Sequence, residues 1–143
     1  MQVKDVMTRG VECVSPDATL QDAARKMKDL DVGPLPVCDN DRLAGMLTDR
    51  DIVVRAVAEG RDPRSAKVRE AMTEGIDYCF EDDDVGQAAG LMRQRQVRRL
   101  VVLNRDKRLV GIVSLGDLAV ETGDEQLAGN TLEAVSEPNH PDR

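Results

Sequence analysis

An internal duplication constrains this chain more than any other feature. Val3-Lys4-Asp5-Val6-Met7-Thr8-Arg9-Gly10-Val11 recurs as Val68-Arg69-Glu70-Ala71-Met72-Thr73-Glu74-Gly75-Ile76, roughly 65 residues later. Ala23, Ala24 and Met27 return as Ala88, Ala89 and Met92, and Val32, Leu35 and Val37 return as Val97, Leu100 and Val102. After one inserted residue, Arg42-Leu43-Ala44-Gly45-Met46-Leu47-Thr48 returns as Arg108-Leu109-Val110-Gly111-Ile112-Val113-Ser114, and Asp51 aligns with Asp117. A chain of 143 residues is then either one body or two small subdomains sharing a core.

Each copy predicts the same order of elements. Val11 to Val14 reads as a short strand. A helix opens at Asp17-Ala18-Thr19-Leu20, with Thr19 as N-cap and Asp22 three residues on. Leu20, Ala23, Ala24, Met27 and Leu30 mark its apolar face. Two strands, Leu35 to Cys38 and Leu43 to Thr48, join through Asp39-Asn40-Asp41, a hairpin-type turn. A second helix spans about 49–59, with Val53, Val54 and Val57 as its apolar side. The second copy predicts a strand near Ile76 to Phe80, a helix from Asp84 to Gln96, strands near Leu100 to Asn104 and Leu109 to Ser114, and a helix from Leu115. The organisation expected is a first repeat at 2–60, a polar, proline-containing linker at 61–67 and a second repeat at 68–121. A flexible tail follows at 122–143, in which Thr131 to Val135 can form a helical turn.

Composition narrows the function. Aromatic residues make up 1% of the chain, Tyr78 and Phe80 alone, so no base-stacking surface is available. A net charge of −7 also argues against a nucleic-acid partner. No apolar run is long enough to span a bilayer, and the Met-Gln-Val-Lys-Asp opening lacks a signal-peptide core, so a cytoplasmic protein with no membrane partner is expected. Cys13, Cys38 and Cys79 form no CxxC pair, and with His140 alone they offer no recognisable zinc site. Cys13 and Cys38 sit at strand ends of the same copy. If those strands meet, a disulfide or redox switch becomes available, while buried thiols are the commoner outcome in a reducing compartment. The acidic run Glu81-Asp82-Asp83-Asp84 precedes a helix and reads as structural capping rather than a metal site. No base, nucleophile or metal cluster accompanies Asp49 and Asp51, so no enzyme is expected.

A duplicated β-α-β-β-α unit, each copy ending in Gly-h-h-Thr/Ser-x-x-Asp, resembles the CBS domain, named after cystathionine β-synthase. The resemblance covers about residues 2–120. It rests jointly on Asp5-Val6-Met7-Thr8, Val32-Gly33-Pro34-Leu35-Pro36-Val37 and Gly45-Met46-Leu47-Thr48-Asp49-Arg50-Asp51. The chain is most similar to small stand-alone bacterial CBS pairs, some linked to stress or low oxygen. The resemblance implies an α/β (α+β) fold, tandem β-α-β-β-α repeats packed about a pseudo-twofold axis as a Bateman module. It also implies clefts that bind AMP, ADP or ATP, in some members NAD or S-adenosylmethionine, with no cofactor required. A homodimer and an effector protein of unknown identity are the partners it implies.

Thr48 and Asp51, with Ser114 and Asp117 as their counterparts, have two readings. Thr-x-x-Asp at a strand-to-helix junction is a capping box that satisfies backbone N–H groups. The same helix start offers N–H groups to a phosphate, Thr48 a hydroxyl donor, Arg50 a charge-assisted pair, and Asp51 an acceptor for a ribose diol. Gly45 would let a ligand or a neighbouring backbone approach closely. By resemblance the adenine slot falls at Val11, Cys13, Val14, Leu35 and Pro36, with Met46; ordinary core packing accounts for most of these too. In the second copy Gly116 stands where Arg50 was, but Arg98 and Arg99 replace Gly33 and Pro34. Family members that bind AMP often carry basic residues there, so Arg98 and Arg99 are candidate phosphate ligands. Two unequal sites are expected, that of the first copy being the better.

Overall fold

The computed structural model describes residues 1–138. In chain order the elements are β1 (Thr8–Arg9), α1 (Leu20–Leu30), β2 (Leu35–Asp39), β3 (Arg42–Leu47), α2 (Asp49–Ile52), β4 (Tyr78–Phe80), α3 (Val85–Arg95), β5 (Arg99–Leu103), β6 (Leu109–Ser114), α4 (Leu115–Thr122) and α5 (Glu125–Val135). A π-helical turn, Val53–Val57, continues α2, and short 3-10 turns at Val3–Asp5 and Val68–Glu70 open the two copies.

The chain forms two units that do not follow the repeat boundaries. One is Glu12–Ile76; the other joins Met1–Val11 to the chain from Asp77 onward. Each copy's opening segment is therefore built into the unit carrying the other copy. In the unit of the second repeat, Val3 and Lys4 donate backbone hydrogen bonds to the carbonyls of Asp83 and Glu81, at 2.8 and 2.9 Å. In the unit of the first repeat, Val68 and Arg69 donate to Ala18 and Pro16, at 2.8 and 3.0 Å. There Arg69 also pairs with Asp17, and its guanidinium holds the Asp17 carboxyl below the usual carboxylate range.

The two units share one sheet plan. In the second-repeat unit the strand order is β1-β6-β5-β4, with β4 parallel to β5 and the other pairs antiparallel. In the first-repeat unit the β2–β3 hairpin is flanked by single bridges, Met46 to Thr73 and Val14 to Val37. The predicted strand at Val11 to Val14 is thus reduced to one parallel bridge at Val14. Leu35, Val37 and Leu47 face inward against Leu20, Ala23 and Met27 of α1, with Val68 from the exchanged segment. The second core repeats this with Leu100, Val102, Val113, Ala88, Met92 and Val3. With almost no aromatics, both cores are built from branched aliphatics and methionine.

Glycine marks where the exchanged segments cross. A Cβ on Gly45 would lie 2.5 Å from the Thr73 carbonyl oxygen, and one on Gly111 2.7 Å from that of Thr8. Of the two close approaches open to Gly45, the neighbouring backbone is the one present.

Three expectations are corrected. Val53, Val54 and Val57 are exposed, at 58, 45 and 60%; Ile52 and Ala56, four apart, face the core instead. On α1, Ala24 and Leu30 turn outward, leaving Leu20, Ala23 and Met27 as the buried stripe. Residues 125–135 form a full helix, α5, where a tail with one helical turn was expected. Asp124 caps it by accepting from the Leu127 N–H at 2.9 Å, and Thr131 and Val135 bury against α3 and α4. The polar stretch at 61–67 is also tied down: Ala66 is buried, and its carbonyl and that of Pro63 accept from Leu20 and Gln21 at the start of α1.

Candidate functional site

The two Thr/Ser-x-x-Asp motifs are complete capping boxes. The Thr48 hydroxyl accepts from the Asp51 N–H at 3.0 Å, and the Asp51 carboxylate accepts from the Thr48 N–H at 3.0 Å. Ser114 and Asp117 repeat this at 3.0 and 2.8 Å. The β-region backbone at each N-cap turns the chain from strand end to helix start. Capping uses the acceptor side of each hydroxyl and one carboxylate oxygen. The hydroxyl proton can still be donated outward, and the other Asp51 oxygen stands 4.0 Å from Arg55 Nε. Arg55 also donates to the Ala71 and Met72 carbonyls, at 3.2 and 3.0 Å, tying the first box to the exchanged segment.

The slot residues of the first copy divide. Leu35 and Val14 belong to the core. Pro36 lies opposite Met46 across the hairpin, and its carbonyl accepts from the Val14 N–H at 3.0 Å. By alternation along the hairpin, Pro36 and Met46 share the sheet face opposite that core, and Cys13 precedes the bridged Val14 outside any strand. Val11 falls in the other unit. Arg50 is exposed, and its guanidinium makes no hydrogen bond or ion pair with a described residue.

The second copy gathers its candidates more fully. Arg99 pairs in register with Ser114 across β5 and β6, and the Leu115 N–H donates to the Arg98 carbonyl at 2.8 Å. Arg98, Arg99, Ser114 and Gly116 consequently line one cavity of about 490 Å³, with Leu115 and Ala119 of α4. Both guanidiniums are exposed and make no ion pair with a described residue. Asp117 sits behind Ser114, bonded to its N–H.

Sequence reasoning missed the far wall, Ala128, Gly129 and Leu132 of α5. The signal was there: Leu127, Thr131 and Val135 recur every four residues behind a capping aspartate. Thr131 accepts from Arg93 at 3.2 Å, and Gln96 donates to the Ala134 carbonyl at 3.1 Å, fixing α5 on α3.

The acidic run is used structurally. Asp84 caps α3, accepting from Gly86 at 2.9 Å, while Asp82 and Asp83 pair with Arg105. Among the described residues no three His, Cys, Asp or Glu side chains are grouped to hold a metal, and His140 lies outside them. No helix among those residues is long and apolar enough to cross a membrane.

Comparison with known proteins returns the same architecture. The CBS domain family model matches twice, at residues 3–57 and 68–122. The CBS domain-containing protein YhcV of Bacillus subtilis is 44% identical over 137 residues, covering 96% of each chain. Hypoxic response protein 1 of Mycobacterium tuberculosis is 44% identical over 117 residues, 81% of each chain. The solved structure of Hypoxic Response Protein I, which holds two coordinated zinc ions, superposes with a TM-score of 0.75 over 83% of this chain and 97% of its own. CBSX2 in complex with AMP superposes with a TM-score of 0.74 at 26% identity, over 87% and 98% of the two chains. The duplicated frame, the paired capping boxes and these matches agree: the chain belongs to the CBS domain family, as a tandem pair of its repeats.

Proposed function

We propose that this CBS pair is a cytoplasmic, non-catalytic sensor of adenine nucleotides (AMP, ADP or ATP), acting by ligand-dependent packing on an effector protein. The observation that carries the reading is the cavity in the second-repeat unit, where Arg98, Arg99 and Ser114 converge with no anionic partner for either arginine among the described residues. Two guanidiniums and a hydroxyl suit a phosphate, and the Leu115, Ala119 and Leu132 walls suit the apolar part of the same ligand. CBSX2, of similar fold, binds AMP. In this reading Thr48, Arg50 and Asp51, with Pro36 and Met46, are a second site with Asp51 as acceptor for a ribose. It ranks below the cavity of the second copy, the reverse of the order expected from sequence. Response to the ligand requires that it bind two states of the module with different affinity.

Calorimetric titration tests the reading. Replacing both Arg98 and Arg99 by alanine should weaken AMP and ATP binding by about 10–100-fold, the range for losing charge-assisted hydrogen bonds, and leave adenosine nearly unaffected. Unchanged AMP affinity in that variant removes the phosphate role. Asp51→Ala should lower affinity at the first site; an unchanged titration removes the ribose role.

The capping boxes favour a second reading, a structural or interaction module without ligand, because they account for Thr48, Asp51, Ser114 and Asp117 by themselves. A thermal-shift panel separates the two, since a nucleotide that binds only the native state raises the melting temperature. No shift with AMP, ADP, ATP, NAD or S-adenosylmethionine would establish the second reading. The exposed Val53, Val54 and Val57 are the surface we assign to a homodimer. Native mass spectrometry reads dimer and co-purified nucleotide together.

A further inference from the structure

We propose that Cys13 and Cys38 are a reversible oxidation site, closing to an intramolecular disulfide within the first-repeat unit. The backbone holds the two segments together. Val14 bridges Val37 in parallel; the Val14 N–H donates to the Pro36 carbonyl and the Cys38 N–H to the Val14 carbonyl, both at 3.0 Å. Cys13 and Cys38 stand one step to either side of the bridged valines, Cys38 on the face of β2 opposite Val37. A diagonal pair on a regular ladder stands about 7–8 Å apart. Here the pairing is a single bridge at Val14, and residues 11–13 lie outside strand geometry, so Cys13 is not held to that spacing. The Cys13 thiol stands close enough to Cys38 to help hold the Cys38 thiol protonated.

Their environments differ in a way that orders the chemistry. Cys13 is partly exposed and open to a small oxidant, whereas Cys38 is 5% exposed. Burial, with Cys13 beside it, pushes the Cys38 thiol up to about 12, so it keeps its proton until it reacts. With hydrogen peroxide as oxidant, the Cys13 thiolate attacks one peroxide oxygen and the O–O bond breaks. Cys13 becomes a sulfenic acid, and the departing hydroxide takes up the thiol's proton as water. The Cys38 sulfur then attacks the Cys13 sulfur and the S–O bond breaks. The second hydroxide leaves with the Cys38 proton as water, each sulfur having given one electron to the peroxide. A dithiol reductant reverses the bond by exchange. Cys79 takes no part: it lies in the other unit, 4% exposed, its thiol pushed by burial up to about 12.

The bond would staple residues 12–14 to β2 and close the loop that holds α1. The full chain, reduced and then treated with a few equivalents of hydrogen peroxide, provides the test. Two of the three thiols should disappear, the intact mass should fall by about 2 Da, and a Cys13–Cys38 peptide should appear that dithiothreitol abolishes. The melting temperature should rise by roughly 10 °C. Cys38→Ser should leave Cys13 as a dimedone-reactive sulfenic acid without the mass loss, and Cys79→Ser should oxidise like the parent. Retention of all three thiols, a pair containing Cys79, or only intermolecular bonds would overturn the proposal.

Discussion

Gly45→Ala is expected to lower the stability of the chain by about 3 kcal/mol, the upper range for forced overpacking, with the urea midpoint falling accordingly. The Cβ would stand 2.5 Å from the Thr73 carbonyl oxygen, a distance real Cβ atoms essentially never show. A flexible side chain could swing aside; this obstacle is backbone. The Thr73 carbonyl accepts from the Met46 N–H at 2.9 Å, and the Thr73 N–H donates to the Met46 carbonyl at 2.8 Å. Moving the oxygen away breaks the bridge that seats the exchanged segment, and with it the burial of Val68 and Ala71. Gly111→Ala should behave alike, since its Cβ would meet the Thr8 carbonyl at 2.7 Å and the Met7 sulfur at 2.8 Å. Gly129→Ala is the control. It sits in α5 with open space around its Cβ, so the substitution should be neutral or stabilising by up to about 1 kcal/mol. Equilibrium urea unfolding of the three variants decides the matter. A Gly45→Ala protein as stable as the parent would mean that Thr73 does not cross β3 as described.

The same glycines show how far the sequence could be read. Their recurrence in Gly-h-h-Thr/Ser-x-x-Asp announced the repeat, and the hairpins and capping boxes followed, because turns and caps are set by residues a few positions apart. The exchange of opening segments was not legible. Val3 and Val68, or Met7 and Met72, are the same residues in the same setting, so nothing local says on which copy each will pack. The second helix of the first copy carries apolar residues on two sides, Val53, Val54 and Val57 on one and Ile52 and Ala56 on the other, and periodicity favoured the larger set. Only the core contacts choose the smaller. At the candidate site, the meeting of Arg99 and Ser114 follows from hairpin register and was within reach of the sequence. Its third wall was signalled only by the recurrence of Leu127, Thr131 and Val135 behind Asp124, a signal weakened by Gly129 and Asn130, poor helix formers in a helix fixed by docking.

Ending the chain after Asp124 is expected to cost the second-repeat unit about 5 kcal/mol, enough to threaten the fold of a domain whose whole stability is about 5–15 kcal/mol. Val135 is 5% exposed and Thr131 is fully buried, while Leu127 packs against the same core. Their removal uncovers apolar surface on α3 and α4 and strips the partners of Arg93 and Gln96. Thermal unfolding should show the loss, and hydrogen exchange should show it concentrated in α3 and β5 rather than in α1 and β2. A tail that merely rested on the surface would leave the melting temperature within about 2 °C of the parent. A milder variant separates packing from binding. Thr131→Val keeps the shape but removes the hydroxyl that accepts from Arg93 and donates to the Leu127 carbonyl at 2.7 Å, a change of about 1 kcal/mol. If α5 is a wall of the nucleotide site as well as a brace, Leu132→Ala should weaken AMP binding while lowering stability little, because Leu132 is 46% exposed and lines the cavity rather than the core. Unaltered AMP affinity in Leu132→Ala, beside a destabilised truncation, would leave α5 a brace alone.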